Sequence, residues 1–200
     1  MPDNSGRSAT ISRKTGETDI TVSLNLDGSG KADINTGIGF FDHMLNSFAR
    51  HGFFDLDVKA VGDLYVDTHH TIEDTGIVLG KAIKEAVGDK QGIKRYASFT
   101  MPMDDALILC SIDLSGRPYL GYNLDLTVPK VGDYETEMTK EFFYAVSYAA
   151  EMNIHLMQLS GSNNHHIIEA AFKAFANAMD IATSYDPRLE NNLLSTKGTL

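Results

Sequence analysis

The feature that most constrains the fold of this chain is a short sequence that occurs twice. The hexapeptide HHTIED at residues 69–74 is matched by HHIIEA at residues 165–170, an offset of 165 − 69 = 96 residues in a chain of 200. The hydrophobic pattern around each copy reads βββαβα, with the hexapeptide at the start of the last helix. We therefore predict an internally duplicated α+β protein with a first half at 1–92, a second half at 93–184 and a C-terminal tail at 185–200.

Each half is expected to form a two-layer sandwich of two helices on a mostly antiparallel or mixed sheet. Alternating apolar residues predict strands at 8–14, 19–26, 31–35, 53–61, 95–101, 106–113, 119–126 and 153–159. Helical spacing predicts helices at about 40–48, 70–87, 136–151 and 164–183. The turn Asp27-Gly28-Ser29-Gly30 predicts a hairpin between its flanking strands, and Asn164 is expected to cap the last helix.

Composition narrows the class of protein. With 42% hydrophobic and 22% charged residues the chain is expected to be folded and soluble, and its apolar stretches are shorter than the ~20 residues of a membrane helix. The first ten residues lack the apolar core of a signal peptide, so a cytoplasmic location is expected. A net charge of -10 disfavours nucleic-acid binding. The single cysteine, Cys110, excludes an internal disulfide and is interpreted as a buried strand residue.

The repeated hexapeptides carry a pattern that is typical of metal ligands. In H-H-x-x-E on a helix, the glutamate lies four positions after the first histidine and three after the second, so either pair is able to converge on one ion. Neighbouring histidines point about 100° apart, so the two are expected to serve different metal ions. Imidazole and carboxylate donors suit manganese, iron or zinc. The candidate ligands are His69, His70, Glu73, His165, His166 and Glu169.

A helix upstream of each copy offers one more candidate ligand. His43 lies 69 − 43 = 26 residues before the first pair, and Glu141 lies 165 − 141 = 24 residues before the second. A single histidine pair at a helix start is also typical of a solvated position without a metal. Two pairs in register, each followed by a glutamate, favour the metal site, with the remaining ligands supplied elsewhere in the fold or by a neighbouring subunit.

Longer motifs carry a resemblance to a known family. The segments GIGFFDHMLNSFARHGFFDL, GDLYVDTHHTIEDTGIVLG, SGRPYL, NHHIIEAAFKAFANAM and STKG occur in this order and resemble imidazoleglycerol-phosphate dehydratases from about Arg13 to the C-terminus. The resemblance implies the dehydratase step of histidine biosynthesis and a duplicated fold of the ribosomal protein S5 domain 2-like type. It also implies two Mn²⁺ ions per active site, a phosphorylated imidazole substrate and an assembly of 24 identical subunits, with metals bridging subunits.

The same resemblance implies roles for particular residues. The metal ligands carried over are His43, His69, His70, Glu73, Glu141, His165, His166 and Glu169. The substrate contacts carried over are Glu17, His43, His51, His69, Glu73, Arg95, Arg117, His165, Lys173, Ser195 and Lys197. Glu17 is the leading candidate for the general base and His51 is the second. Glu141 departs from the family, because many members have His-Phe-Phe where this chain has Glu-Phe-Phe.

The chemistry of the implied reaction accounts for these residue types. The hydroxyl group that leaves is next to the imidazole ring, and the proton that leaves lies on a carbon with no neighbouring carbonyl. A metal on a ring nitrogen favours the imidazolate, whose electrons are able to expel the hydroxyl. The substrate phosphate requires fixed positive charge, for which Arg95, Arg117, Lys173 and Lys197 are candidates.

Two other functions use the same ligands. A metal-dependent hydrolase of a phosphorylated metabolite would activate water with them and release inorganic phosphate. A metal-storage protein would have no need of Arg117 or Lys197.

Overall fold

The computed structural model describes residues 6–190 and 192–199 of the chain. Residues 1–5, 191 and 200, which belong to the predicted first half and tail, lie outside the described residues. The strands are β1 (Ser8–Lys14), β2 (Thr18–Asn25), β3 (Ala32–Asn35), β4 (Asp55–Gly62), β5 (Tyr96–Met103), β6 (Ala106–Asp113), β7 (Tyr119–Asn123), β8 (Lys130–Val131), β9 (Tyr134–Glu135) and β10 (Asn153–Ser160). The α-helices are α1 (Gly39–His51), α2 (His69–Val87), α3 (Met138–Ala150) and α4 (Asn164–Thr183).

Two four-stranded sheets have the same topology. The first has the order β1-β2-β4-β3 and the second β5-β6-β10-β7, and in each sheet only the last pair is parallel. Alternate residues of β2, among them Ile20, Val22 and Leu24, are buried, as expected for a sheet with one face on the core. The predicted fold class, a duplicated α+β protein with two similar halves, is confirmed.

The helices of the two halves pack against each other. α2 lies on the first sheet and α4 on the second, while α1 contacts α4 and α3 contacts α2. α2 and α3 approach closely because α2 has glycine at the contact: a Cβ atom would lie 2.9 Å from the carbonyl oxygen of Phe142 at Gly76, and 2.8 Å from that of Val146 at Gly80. One hydrophobic core therefore runs through both halves.

The predicted hairpin across residues 27–30 is wrong. β3 pairs with β4 in parallel and does not touch β2, because the turn carries the chain across the start of β4. The Asp55 carboxylate holds the turn there by accepting hydrogen bonds from the backbone N–H groups of Ser29, at 2.8 Å, and Lys31, at 3.0 Å. Gly28 fits against this strand because a side chain would collide with the backbone of Asp55.

The predicted cap of α4 is also wrong by one position. The side-chain oxygen of Asn163 accepts hydrogen bonds from the backbone N–H groups of His165, at 3.0 Å, and His166, at 3.3 Å. Asn164 is the first helical residue, and its side-chain oxygen accepts from the backbone N–H of Thr127 at 2.7 Å. Asn163 therefore fixes the helix turn that carries both histidines.

A short hairpin interrupts the duplication. β8 and β9 lie between β7 and α3, and the corresponding connection between β3 and α1 contains no strand. The strand predicted at 119–126 ends at Asn123, before this hairpin begins.

The C-terminal tail is docked on the segment that joins the two halves. A 3₁₀ turn at Pro187–Leu189 follows α4, and the backbone of Gly92 bonds to Asp186 and Asn192. Cys110 is fully buried in β6, as predicted. Within the described residues no helix has both the length and the apolar character needed to cross a membrane.

Candidate metal and substrate site

α1 of the first half and α4 of the second bring three candidate ligands together. His165 Nε2 lies 3.1 Å and His43 Nε2 3.5 Å from the same oxygen, Oε2 of Glu169. His165 and Glu169 meet because residues four apart share a helix face. Glu169 is buried, while His43 is exposed and His165 half-buried. Ligand atoms of the three lie within 4.8 Å of one another, a spacing and donor set that fit a divalent transition metal. We call this trio the α1–α4 cluster.

The equivalent residues of the other helix pair are less closely gathered. His69 Nε2 lies 3.6 Å from Glu73 Oε2, on the exposed start of α2. Glu141 lies in the first turn of α3, next to the Phe142 carbonyl that Gly76 approaches. Within residues 6–190 and 192–199, only the α1–α4 cluster brings three ligand atoms within 4.8 Å. The role predicted for Glu141 therefore stays a prediction. We call His69, Glu73 and Glu141 the α2–α3 group.

The second histidine of each pair faces away from the first. The ring centroids are 6.2 Å apart for His69 and His70 and 6.0 Å apart for His165 and His166. His70 Nδ1 lies 3.0 Å from Asp63 Oδ2, and its Nε2 lies 3.9 Å from Glu17. The divergence expected from helix geometry is therefore present.

His166 has the same surroundings as His70. Its Nδ1 lies 2.7 Å from Asp105 Oδ1 and its Nε2 lies 3.5 Å from Asp104 Oδ2. A carboxylate on Nδ1 fixes the orientation of an imidazole and leaves Nε2 as the nitrogen that is able to bind a metal. The hydrogen bond to Asp63 raises the pKa of His70, and backbone N–H groups, Ser162 first, lower the pKa of Asp105.

A cavity of about 390 Å³ adjoins the α1–α4 cluster. Its walls include His43, Glu169, Lys173, Arg50 and His51. Burial, reinforced by the charge of Lys173, lowers the pKa of His51, so its imidazole is neutral at pH 7. Burial tends to raise the pKa of Glu169, but the ion pair with Lys173 and the contacts with His43 and His165 together outweigh it, and the net pKa is lowered.

Other predicted substrate contacts form a second, smaller cavity of about 160 Å³. Its walls are Arg95, Arg117, Ser195, Thr196, Lys197 and Thr199. Arg95 bonds to the Asp113 carboxylate at 2.8 and 3.0 Å and to the backbone oxygen of Leu194 at 2.7 Å, so it fixes the tail. Arg117 is exposed in a turn where Gly116 has φ 75°. Arg117 and Lys197 leave this cavity positively charged, and we call it the anion cradle.

The cradle and the α1–α4 cluster lie at opposite ends of α4. The backbone N–H of Arg95 donates to the Ala182 carbonyl at 2.8 Å, near the end of the helix. Glu169 lies 182 − 169 = 13 residues earlier, which is about 20 Å along a helix. Within one chain, the predicted site residues therefore lie in separate places and not in one pocket.

Sequence reasoning missed five carboxylates of this site. Asp63 and Asp105 lie within hydrogen-bond distance of the Nδ1 atoms of His70 and His166, and Asp104 lies near Nε2 of His166. Asp133 and Glu135, in the hairpin of β8 and β9, bond to the starts of α1 and α2. The signal for Asp133 and Glu135 was the unassigned VGDYE at 131–135, where Gly132 has φ 61° as a tight hairpin turn requires.

The duplicated sheets and the histidine–carboxylate groups at the helix starts define an α+β enzyme with side chains suited to divalent metals. The family model described as imidazoleglycerol-phosphate dehydratase matches residues 36–179. The chain belongs to the imidazoleglycerol-phosphate dehydratase family, whose members are hydro-lyases of histidine biosynthesis.

Similar proteins align with nearly the whole length of this chain. The imidazoleglycerol-phosphate dehydratase of Lachnoclostridium phytofermentans is 65% identical over 194 residues, covering 97% of this chain and 98% of that protein. That of Acetivibrio thermocellus is 61% identical over 190 residues, covering 95% and 97%. The crystal structure of the Staphylococcus aureus enzyme has a TM-score of 0.81 at 39% identity, covering 90% of this chain and 99% of that one. The Pyrococcus furiosus structure, a complex with (S)-C348, has a TM-score of 0.83 at 38% identity, covering 95% and 100%.

Proposed function

We propose that the protein is a cytoplasmic, Mn²⁺-dependent enzyme that removes water from imidazole-glycerol phosphate to give imidazole-acetol phosphate. The observation that carries the proposal is the α1–α4 cluster, in which His43, His165 and Glu169 converge beside a cavity that also contains Lys173 and His51. The cavity of about 390 Å³ beside these candidate metal ligands is suited to a small polar substrate.

The chemistry of the donors supports manganese. Every proposed ligand is an imidazole or a carboxylate, and the one thiol of the chain is buried in β6. We propose two ions per active site, held by His43, His69, His70, Glu73, Glu141, His165, His166 and Glu169. When bound, Mn²⁺ supplies Lewis acidity that lowers the pKa of the substrate ring N–H.

The chain's own residues provide proton transfer and charge. The reaction breaks a C–O bond next to the ring and a C–H bond on the following carbon, so a base must accept the proton. Glu17, beside His70, and His51, neutral in the cavity of the α1–α4 cluster, are the two candidates. Arg117 and Lys197 of the anion cradle are suited to the phosphate, while Arg95 holds the tail that carries Lys197.

The distance along α4 supports an active site shared between subunits. A ring, three carbons and a phosphate extend over roughly 10 Å, about half the separation between the cradle and the α1–α4 cluster. We propose that the cradle of one subunit serves the metal ligands of another, within a homo-oligomer of 24 subunits. His70 and His166, whose Nδ1 atoms are held by Asp63 and Asp105, are the proposed ligands that bridge subunits.

Chelation and product analysis test this function. We expect activity to disappear after exhaustive chelation, to return with Mn²⁺, and to fall as the pH drops through about 6.5, because a protonated imidazole binds no metal. The product should contain a new ketone and an intact phosphate. Release of inorganic phosphate would instead identify a hydrolase, and activity that survives chelation would contradict metal dependence.

A further inference from the structure

The hairpin that interrupts the duplication caps a helix of the other half. The Asp133 carboxylate accepts hydrogen bonds from the backbone N–H groups of Gly39, at 2.6 Å, and Phe40, at 3.1 Å, the first two residues of α1. The helix has no cap of its own, because its N-cap residue, Ile38, has no side-chain acceptor. Asp133 therefore satisfies two of the N–H groups that a helix start leaves unpaired.

The same hairpin also holds the start of α2. Glu135 Oε2 accepts from the backbone N–H of Thr68 at 3.3 Å and from the Thr68 hydroxyl. Thr68 is the N-cap of α2 and makes no side-chain capping bond to its own helix. Lys130 lies 2.9 Å from the other oxygen of Glu135. Two neighbouring carboxylates thus bond to the starts of the two helices that carry the first-half ligands.

The hairpin is anchored so that these carboxylates have fixed positions. Tyr134, between them, is fully buried, and its hydroxyl lies 3.1 Å from the hydroxyl of Thr139. Its ring centroid lies 5.3 Å from that of Phe40, which makes an edge contact with the His165 ring at 5.0 Å. The hairpin therefore contacts the α1–α4 cluster through both the start of α1 and the ring beside His165.

We propose that Asp133 and Glu135 are positioning residues, Asp133 for the α1–α4 cluster and Glu135 for the α2–α3 group. His43 lies one turn after the N–H groups that Asp133 binds, and His69 directly follows Thr68. Loss of either carboxylate frees the first turn of one helix, and ligands displaced by a fraction of an ångström bind metal poorly. The inference rests on the proposed function for the identity of the metal but not for the helix contacts.

Mn²⁺ titration followed by EPR of the free ion tests the first part of the proposal. Asp133→Ala is expected to lower the affinity for one of the two bound Mn²⁺ ions about 10-fold or more. The affinity for the other ion should stay within about 2-fold of the wild-type value. Glu135→Ala should instead lower the affinity for the other Mn²⁺ ion. Asp133→Asn, which keeps an oxygen acceptor, should recover most of the affinity, and Asp89→Ala, which removes an exposed turn carboxylate, should match the wild type. Equal weakening of both equivalents, or of neither, would overturn the assignment.

Hydrogen–deuterium exchange of the metal-free protein separates this inference from the proposed function. We expect about 10-fold faster exchange at Gly39 and Phe40 in Asp133→Ala, with α3 unchanged. Wild-type protein that binds no Mn²⁺ would contradict the proposed cofactor, and exchange alone would then decide the role of the hairpin. Unchanged exchange in Asp133→Ala and Asp133→Asn would show that the contact does not order α1.

Discussion

Lys173 Nζ lies 2.7 Å from Oε1 of Glu169, so the two oxygens of this buried carboxylate have different partners. Oε2 faces His43 and His165, while Oε1 is paired with the lysine. Lys173, together with His43 and His165, lowers the pKa of this carboxyl group, although burial alone would raise it. Lys173 was predicted as a substrate contact, and its position gives it a structural effect on the α1–α4 cluster as well.

Lys173→Met should weaken both the fold and Mn²⁺ binding. Removing one partner of a largely buried ion pair leaves the Glu169 charge uncompensated, at a cost of roughly 2–4 kcal/mol in the free energy of unfolding. Urea denaturation of the metal-free protein measures this cost. The double variant Lys173→Met/Glu169→Gln should lose less stability than the sum of the two single variants, and simple additivity would show that the pair is not coupled.

Glu17→Gln should reduce kcat by about 10²-fold or more with little change in KM, because it removes a candidate base and keeps the shape of the side chain. His51→Gln tests the second candidate in the same assay. Glu85→Gln, an exposed change on α2, serves as the control. Unchanged kcat in Glu17→Gln would assign proton transfer to another residue.

Metal removal should reduce the size of the assembly. If His70 and His166 share metals with neighbouring subunits, binding and association are linked and each strengthens the other. Sedimentation velocity should therefore detect smaller species after chelation and in His70→Ala or His166→Ala, and the large particle should return when Mn²⁺ is added to the wild type. His155→Ala is the matched control, because this exposed histidine lies on β10 against Tyr119. If the particle has the same size with metal, without metal and in the variants, the ligands of each metal lie within one chain.

The ion pair between Arg7 and Asp27 predicts a change of stability with pH. Hydrogen bonding to Arg7 lowers the pKa of Asp27 below its ordinary value of 3.8. The pair therefore stabilises the fold above about pH 4, and the contribution is lost as the pH falls through the lower, folded-state pKa. Asp27 is partly exposed, so Asp27→Asn should cost at most about 1 kcal/mol at pH 7. Urea denaturation should detect a difference from the wild type that shrinks as the pH falls below about 4, and a difference that does not shrink would contradict the assignment.

Local sequence patterns were sufficient to predict most of the helices and strands. The 3.6-residue period located α2 and α4, and alternation located β6 at Ala106–Asp113, because these signals depend only on neighbouring residues. The pairing of β3 was missed because it depends on Asp55, more than twenty residues further along the chain.

The closeness of some candidate ligands was predictable from the sequence, but the contacts that hold their helices were not. The His-His-x-x-Glu repeat has a fixed helical geometry, so His165 and Glu169 could be placed together from spacing alone. Asp133 and Glu135 bond to helices of the other half, and no sequence period connects them with Gly39 or Thr68. The roles predicted for Arg95 and Lys197 came from family resemblance, and their distance from Glu169 emerged only from the contacts of the tail with Gly92 and Arg95.

The exchange of helix contacts between the halves bears on the origin of the protein. α1 packs on α4 and α3 on α2, so each half buries its shorter helix against the longer helix of the other. A single ancestral half would have left that apolar surface exposed, and a pair of identical copies related by a two-fold axis would have covered it in both directions. Gene fusion of such a homodimer would have freed the two copies to diverge, as the carboxylate of Glu141 and the imidazole of His43 have done.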